Sequence, residues 1–177
     1  RSYQAARMGL GAVMGSKNLK AVTISGVSLP PVADPRKCAA MTESYRERMA
    51  DNPLTRWQLE PPGFAAWVEL HGIDAALCTY NYRDSAFDHA SAYAPDRFMR
   101  YFLHDGTCPG CPNACIKFFG AGDGYDGRAG GIHQEITGAM GPNLGLADIG
   151  EVLKANILCN DFGLDPEAMT IRPQLAE

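Results

Sequence analysis

The rhythm of apolar and polar positions changes along this chain of 177 residues, and the changes divide it. Leu19 to Val27 alternates apolar with polar or small side chains, the period-two pattern of a strand with one buried face. Just before it, residues 7–18 (Arg-Met-Gly-Leu-Gly-Ala-Val-Met-Gly-Ser-Lys-Asn) are rich in glycine and small side chains and read as a tight turn between strands. A glycine-rich loop meeting a strand can also bring backbone amides to an anion. Gly9-x-Gly11 nevertheless lacks the third glycine and the strand–loop–helix order of a dinucleotide fingerprint. Leu29-Pro30-Pro31-Val32-Ala33 is stiff, extended and averse to helix, which places a boundary there.

Beyond the boundary the helical rhythm takes over. Asp34-Pro35 is an N-cap followed by a first-turn proline, and Asn52-Pro53 ends the helix that it opens. Phe64 to His71 and Asp96 to His104 predict two further short helices, the second following Pro95, with Phe98, Tyr101 and Phe102 assigned to the core. Gly120 to Gly127 is too rich in glycine for regular structure and predicts an exposed excursion. Asp123 and Asp126 there lack the spacing and terminal Glu of an EF-hand, so calcium is not assigned to them. The strongest helix is expected over Ile149 to Phe162. Asp148 with Glu151 forms a capping-box-like start, Ile149, Val152, Leu153, Asn156 and Ile157 keep the i, i+3, i+4 spacing, and Gly163 stands at C′. Asp165-Pro166 then opens another helix, and no solenoid period is present. The fold expected is mainly α with a short N-terminal β segment, divided into residues 1–30 and 31–177.

Composition narrows the function classes. At 46% hydrophobic and 20% charged residues the chain can bury a real core. A net charge of −4 without a dense Lys/Arg run argues against a nucleic-acid surface. Nothing is long or apolar enough to span a bilayer. Arg1-Ser2-Tyr3 offers neither an initiator methionine nor a signal pattern, so the chain reads as an internal piece of a longer one. Six cysteines do not form the dense framework of a small secreted domain, and a reducing cytoplasm is the expected location.

Three of those cysteines carry the candidate chemistry. Cys108-Pro109-Gly110-Cys111-Pro112-Asn113-Ala114-Cys115 is a C-x2-C-x3-C run in a loop pre-shaped by its prolines and glycine. The spacing suits thiolate ligands of an iron–sulfur cluster. It also suits a structural zinc site completed by His104, or thiols without a ligand, and the residues alone leave these open.

Several separated motifs, in series, resemble the tungsten-containing aldehyde:ferredoxin oxidoreductases. They are Gly11-Ala-Val-Met-Gly-Ser-Lys-Asn-Leu-Lys-Ala21, preceded by Arg7-Met8-Gly9; Thr79-x-Asn81-Tyr82; the Cys108–Cys115 loop; Gly141-x-Asn143-x-Gly145; Lys154-Ala-Asn156; and Cys159-Asn-Asp-Phe-Gly-Leu-Asp165. The resemblance implies a tungsten (or molybdenum) ion between two pterins, a nearby [4Fe-4S] cluster, and Mg²⁺ bridging the pterin phosphates. It implies oxidation of aldehydes to carboxylic acids in an anaerobic setting, with electrons passed to ferredoxin or another electron-transfer protein. It makes residues 1–30 the end of a β cofactor-base domain and residues 31–177 the start of a helical domain. The rest of the polypeptide, beyond Glu177, would supply the fourth cluster cysteine, so this chain alone is expected to be inactive. Oligomeric assembly is left open.

By the same resemblance, Cys108, Cys111 and Cys115 match cluster ligands, Asn160, Gly163, Leu164 and Asp165 a pterin motif, and Arg7 and Met8 the contacts to the pterin phosphates and Mg²⁺. Asp165 is equally suited to cap a helix before Pro166. Glu135 matches an acidic residue facing the metal, a candidate for proton transfer, against the plain alternative of a polar helix position. His133 and Gln134 replace a family acidic residue and tyrosine, and Cys78 and Tyr80 stand where Pro and Arg are frequent, which leaves the substrate open. Another low-potential reaction on this scaffold, such as reduction of an aromatic acyl thioester, is one alternative. A non-catalytic zinc or electron-transfer module is another.

Overall fold

The computed structural model describes residues 9–26, 28, 30–69, 76–108, 111–122, 124–125 and 131–170. Six α-helices and one hairpin organise them: α1 (Leu10–Ser16), α2 (Pro35–Asp51), α3 (Pro53–Leu59), α4 (Pro95–Phe98), strands β1 (Phe102–Gly106) and β2 (Ile116–Phe119), α5 (Gln134–Met140) and α6 (Ile149–Phe162). Short 3-10 turns connect several of these. The architecture is mainly α with a short β segment.

Caps set the helix boundaries. Asp34 accepts a hydrogen bond from the Lys37 amide and Pro35 fills the first turn of α2. Asn52 ends α2 and begins α3, its side-chain oxygen accepting from the amides of Leu54 and Thr55. At α6, Asp148 accepts from the Glu151 amide at 3.1 Å. Gly163 closes that helix at φ 72°, a left-handed conformation that costs a residue with a Cβ free energy.

The core lies where the hairpin, α6 and the aromatic segment 87–98 meet. Tyr93, Phe98, Phe119, Val152 and Leu153 are buried in one cluster, with Tyr101 and Phe102 packed against it. Trp57, Phe64 and Trp67 form a second aromatic group, the indoles stacked at 4.7 Å between centroids.

Five expectations differ from the structure. The glycine-rich turn contains the short helix α1, and the strand expected over 19–27 is absent from its described residues. A strand needs a ladder partner, and no described residue pairs with this segment. Leu19, Val22 and Ile24 are all exposed, Ile24 at 90%. The helix expected over 96–104 ends after a single turn, because β1 takes over at Phe102 and pairs antiparallel with β2. Only a 3-10 turn, Gly63–Ala66, and helical residues 67–69 occupy the described part of 64–71. After Asp165-Pro166 comes a 3-10 turn, Ala168–Thr170.

Candidate functional site

The three thiols sit on the loop that joins β1 to β2. The hairpin register places Asp105 opposite Lys117 and Gly106 opposite Ile116, so the ladder closes just before Thr107. The Thr107 hydroxyl lies 2.9 Å from the Cys111 carbonyl oxygen and 3.1 Å from that of Asn113, and it donates to one at a time. The Cys111 amide donates to the Cys108 carbonyl at 3.0 Å, which turns the chain between the two cysteines. Asn113 ties the loop to α3 by donating to Gln58 Oε1 at 2.9 Å.

All three cysteines are free thiols, Cys108 and Cys111 exposed and Cys115 half-buried. Burial first, then the charges of Cys111 and Cys108, push the Cys115 thiol above its ordinary pKa; its own backbone amide and Lys117 pull the other way. The thiols therefore lie within electrostatic reach of one another. Among the described residues no three His, Cys, Asp or Glu side chains are grouped tightly enough for a single metal ion. His104 is engaged elsewhere, stacked on Phe118 at 4.6 Å with Nδ1 3.0 Å from the Asp105 carbonyl.

Lys117 lies beneath this loop, and sequence reasoning missed it. Its side chain is 1% exposed and its ammonium donates to the carbonyls of Leu59 and Ala114 and to Asp105 Oδ1, at 2.6, 2.8 and 2.6 Å. The one available signal was a lysine inside the apolar run Ile116-Lys-Phe-Phe119.

The other candidate residues occupy separate elements. Glu135 is exposed in the first turn of α5, where a carboxylate favours the positive end of the helix. His133 just precedes it, its ring centroid 6.2 Å from that of Phe64. Asn160 is buried and donates to the Asn156 carbonyl at 2.9 Å. The Leu164 amide donates to the Cys159 carbonyl at 2.8 Å, closing the end of α6. Asp165 Oδ1 accepts from the amides of Glu167 and Ala168, at 3.0 and 3.4 Å, so the capping role is realised. The thiol hairpin and α6 share one core, through Phe119 and Val152, Leu153 and Cys159. Arg7 and Met8 lie outside the described residues, as do Pro109, Gly110, Asp123, Asp126 and Gly127.

Two motifs distant in sequence meet directly. The amides of Tyr80 and Asn81 donate to the carbonyls of Pro142 and Asn143 at 3.1 and 2.8 Å. Tyr82 N donates to Asn143 Oδ1 at 3.1 Å. Tyr80, Asn81 and Tyr82 have φ of 49°, 59° and 64°, a left-handed run that costs free energy and is held by these bonds. Beside it a polar cleft of about 330 Å³ is lined by Tyr80, Asn81, Arg83, Asn143 and Leu144.

Comparison with known proteins gives a consistent picture. Residues 40–170 match the family model described as aldehyde ferredoxin oxidoreductase, domains 2 and 3. The tungsten-containing aldehyde ferredoxin oxidoreductase of Thermococcus kodakarensis is 29% identical over 167 residues, covering 91% of this chain and 26% of that protein. Its namesake in Pyrococcus furiosus is 28% identical, with the same coverage of 91% and 26%. The aliphatic sulfonate oxidoreductase, WOR-like subunit, of Pyrococcus furiosus is 27% identical over 89% of this chain and 25% of its own length. The chain thus spans about a quarter of the length of the curated relatives it matches. With three-quarters of its residues, from 40 to 170, inside the match to a model described as domains 2 and 3, the chain belongs to the aldehyde ferredoxin oxidoreductase family.

Proposed function

We propose that this chain is part of a tungsten- or molybdenum-bispterin oxidoreductase that converts aldehydes to carboxylic acids and delivers electrons through a [4Fe-4S] cluster to ferredoxin. The observation that carries this reading is the gathering of three free thiols on a restrained loop beside a buried cation, in a chain of this family. The donor set fits a cluster. Soft thiolates are its usual ligands, and each cysteine would take a different iron.

When bound, the pterin-held metal supplies two-electron oxidation and the cluster supplies one-electron relay. Cys108, Cys111 and Cys115 would hold the cluster, and the remainder of the polypeptide would provide the fourth ligand. Gly163, Leu164 and Asp165, with Asn160 behind them, form the pterin edge, where a carboxylate can accept amino protons and backbone groups complete the pairing. Arg7 and Met8, by the family resemblance, would contact the pterin phosphates and their Mg²⁺. Conversion of R–CHO and water to R–COOH releases two electrons and two protons. Glu135 is assigned the uptake of a proton from the substrate, on the family resemblance.

Residues 1–30 are assigned to the end of the cofactor-base domain and residues 31–177 to the front of the helical one. The apolar side chains left uncovered on 10–24, Ile24 at 90% and Val22 at 66%, support a larger partner surface there within the same polypeptide. No described helix is long and apolar enough to cross a membrane. The cytoplasm is the proposed location.

One specific observation favours a second substrate class. A relative named an aliphatic sulfonate oxidoreductase matches almost as much of the chain as those named for aldehydes, and His133 and Gln134 precede Glu135 where the family resemblance implies an acidic residue and a tyrosine. The same scaffold would then act on a non-aldehyde substrate at low potential, an acyl thioester or a sulfonate.

Metal analysis of the full-length protein, purified without oxygen, tests the proposal. About four irons and one tungsten or molybdenum per polypeptide are expected. Zinc alone, without iron, would refute it.

A further inference from the structure

We infer that Lys117 is the positioning and charge-setting residue of the cysteine loop: its buried ammonium holds the loop against α3 and raises the reduction potential of the cluster bound there. This inference rests on the proposed [4Fe-4S] reading and adds a role for a side chain that the ligand pattern does not include.

The tether follows from donor arithmetic. An ammonium has three N–H donors, and here three acceptors surround it. They are the Leu59 carbonyl at the end of α3, the Ala114 carbonyl immediately before Cys115, and Asp105 Oδ1 on β1. One atom thus joins the helix, the strand and the cysteine loop. The neighbouring backbone is shaped around its stem: a Cβ on Gly63, which has φ 60°, would sit 3.3 Å from Lys117 Cε and 3.2 Å from the Gln58 carbonyl.

The charge argument turns on asymmetry. The Lys117 side chain is 1% exposed, whereas that of Asp105 is 45% exposed. Water screens the carboxylate far better than the ammonium, so the pair presents its positive end to the loop. Reduction adds one electron to a cluster that is already anionic with its thiolates. A fixed cation below it favours the reduced form. Two charges about 10 Å apart at an effective dielectric of about 20 move such an equilibrium roughly tenfold.

The test uses the full-length protein, purified anaerobically, with iron analysis and an EPR-monitored redox titration in which dithionite is the reductant. Lys117→Gln keeps an amide donor and removes the charge. The expected result is retained iron with an equilibrium constant for reduction about tenfold lower, which for one electron is about 59 mV more negative. Asp105→Asn removes the opposing charge at a half-exposed position and is expected to move the potential the other way. A purely structural Lys117 would lower the iron content of Lys117→Gln while the clusters that remain titrate as in the wild type; that result overturns the inference. Where Lys117→Gln does not fold, Asp105→Asn decides: an upward shift supports the inference and an unchanged potential overturns it. A wild-type protein without any cluster signal would instead sink the cofactor proposal, and this inference with it.

Discussion

Gly141 is the position where the smallest possible addition should do the most damage. It joins α5 to the 3-10 turn Pro142–Leu144, with φ −95° and ψ −96°. A methyl group there would overlap the Tyr93 hydroxyl and come within 2.7 Å of the Thr137 carbonyl oxygen. Neither neighbour can yield cheaply. Tyr93 is fully buried at 0% exposure and donates to the Leu146 carbonyl at 2.6 Å. The Thr137 carbonyl accepts from the Gly141 amide itself at 2.9 Å. Overpacking of this kind costs about 1–3 kcal/mol. Loss of the Tyr93 hydrogen bond adds about 1 kcal/mol. Gly141→Ala is therefore expected to destabilise this region by about 2–4 kcal/mol, or about thirty- to several-hundred-fold in its opening equilibrium.

Hydrogen exchange with mass spectrometry on the intact protein reads that quantity locally. The amides of Gly141, Leu144 and Leu146, all hydrogen-bonded at this junction, should lose protection by such a factor, while those of α2 stay unchanged. Glu135 lies on the same short helix, so the change should loosen the proposed proton acceptor as well. Tyr93→Phe supplies the control. It removes the oxygen in the way, so Gly141→Ala should cost about 1–2 kcal/mol less in that background than in the wild type. A loss of protection below threefold, or an equal cost in both backgrounds, would refute the steric account.

Two further outcomes follow from the same region. Burial, and secondarily the charge of Asp148, hold the Tyr93 phenol above its ordinary pKa, so its contribution is complete below about pH 10 and is lost as pH rises beyond it, because the unfolded chain then releases a proton that the folded one keeps. Unfolding free energies from urea titrations at pH 9 to 11 should fall less steeply for Tyr93→Phe, by about 1 kcal/mol between pH 10 and pH 11. Asp148→Ala should cost α6 about 1 kcal/mol through the lost cap on Glu151, seen as faster exchange in the first turn of that helix only.

The elements legible in the sequence are those fixed by neighbours along the chain. Asp34-Pro35, Asp148 with Glu151, and Gly163 each act within one turn, and α2 and α6 begin and end where those residues place them. The hairpin was not legible. Phe102 to Gly106 follows a helix start at Pro95, and only the distant Ile116–Phe119 makes it a strand. Leu19 to Gly26 shows the converse, a good alternating pattern that forms no ladder among the described residues. In both cases the deciding hydrogen bonds are non-local, and propensity does not see them.

The candidate site divides along the same line. That Cys108, Cys111 and Cys115 share one loop follows from short spacing, and the Thr107 hydroxyl and the Cys111 amide brace that loop. The meeting of Tyr80–Tyr82 with Asn143, 61 residues apart at the Tyr82 bond, is a tertiary fact that neither motif announces alone. Lys117 combines both kinds of information. Its place in an apolar strand marks it as out of register with its surroundings, but only the fold shows that Leu59, Ala114 and Asp105 complete its donors. Burying an ammonium is expensive unless every donor is used, and here the acceptors come from three elements. Any of them displaced would leave that cost uncompensated. The lysine is therefore a constraint on the geometry of the cysteine loop alongside the cysteines' own spacing, and the loop's shape depends on a residue that is not one of its candidate ligands.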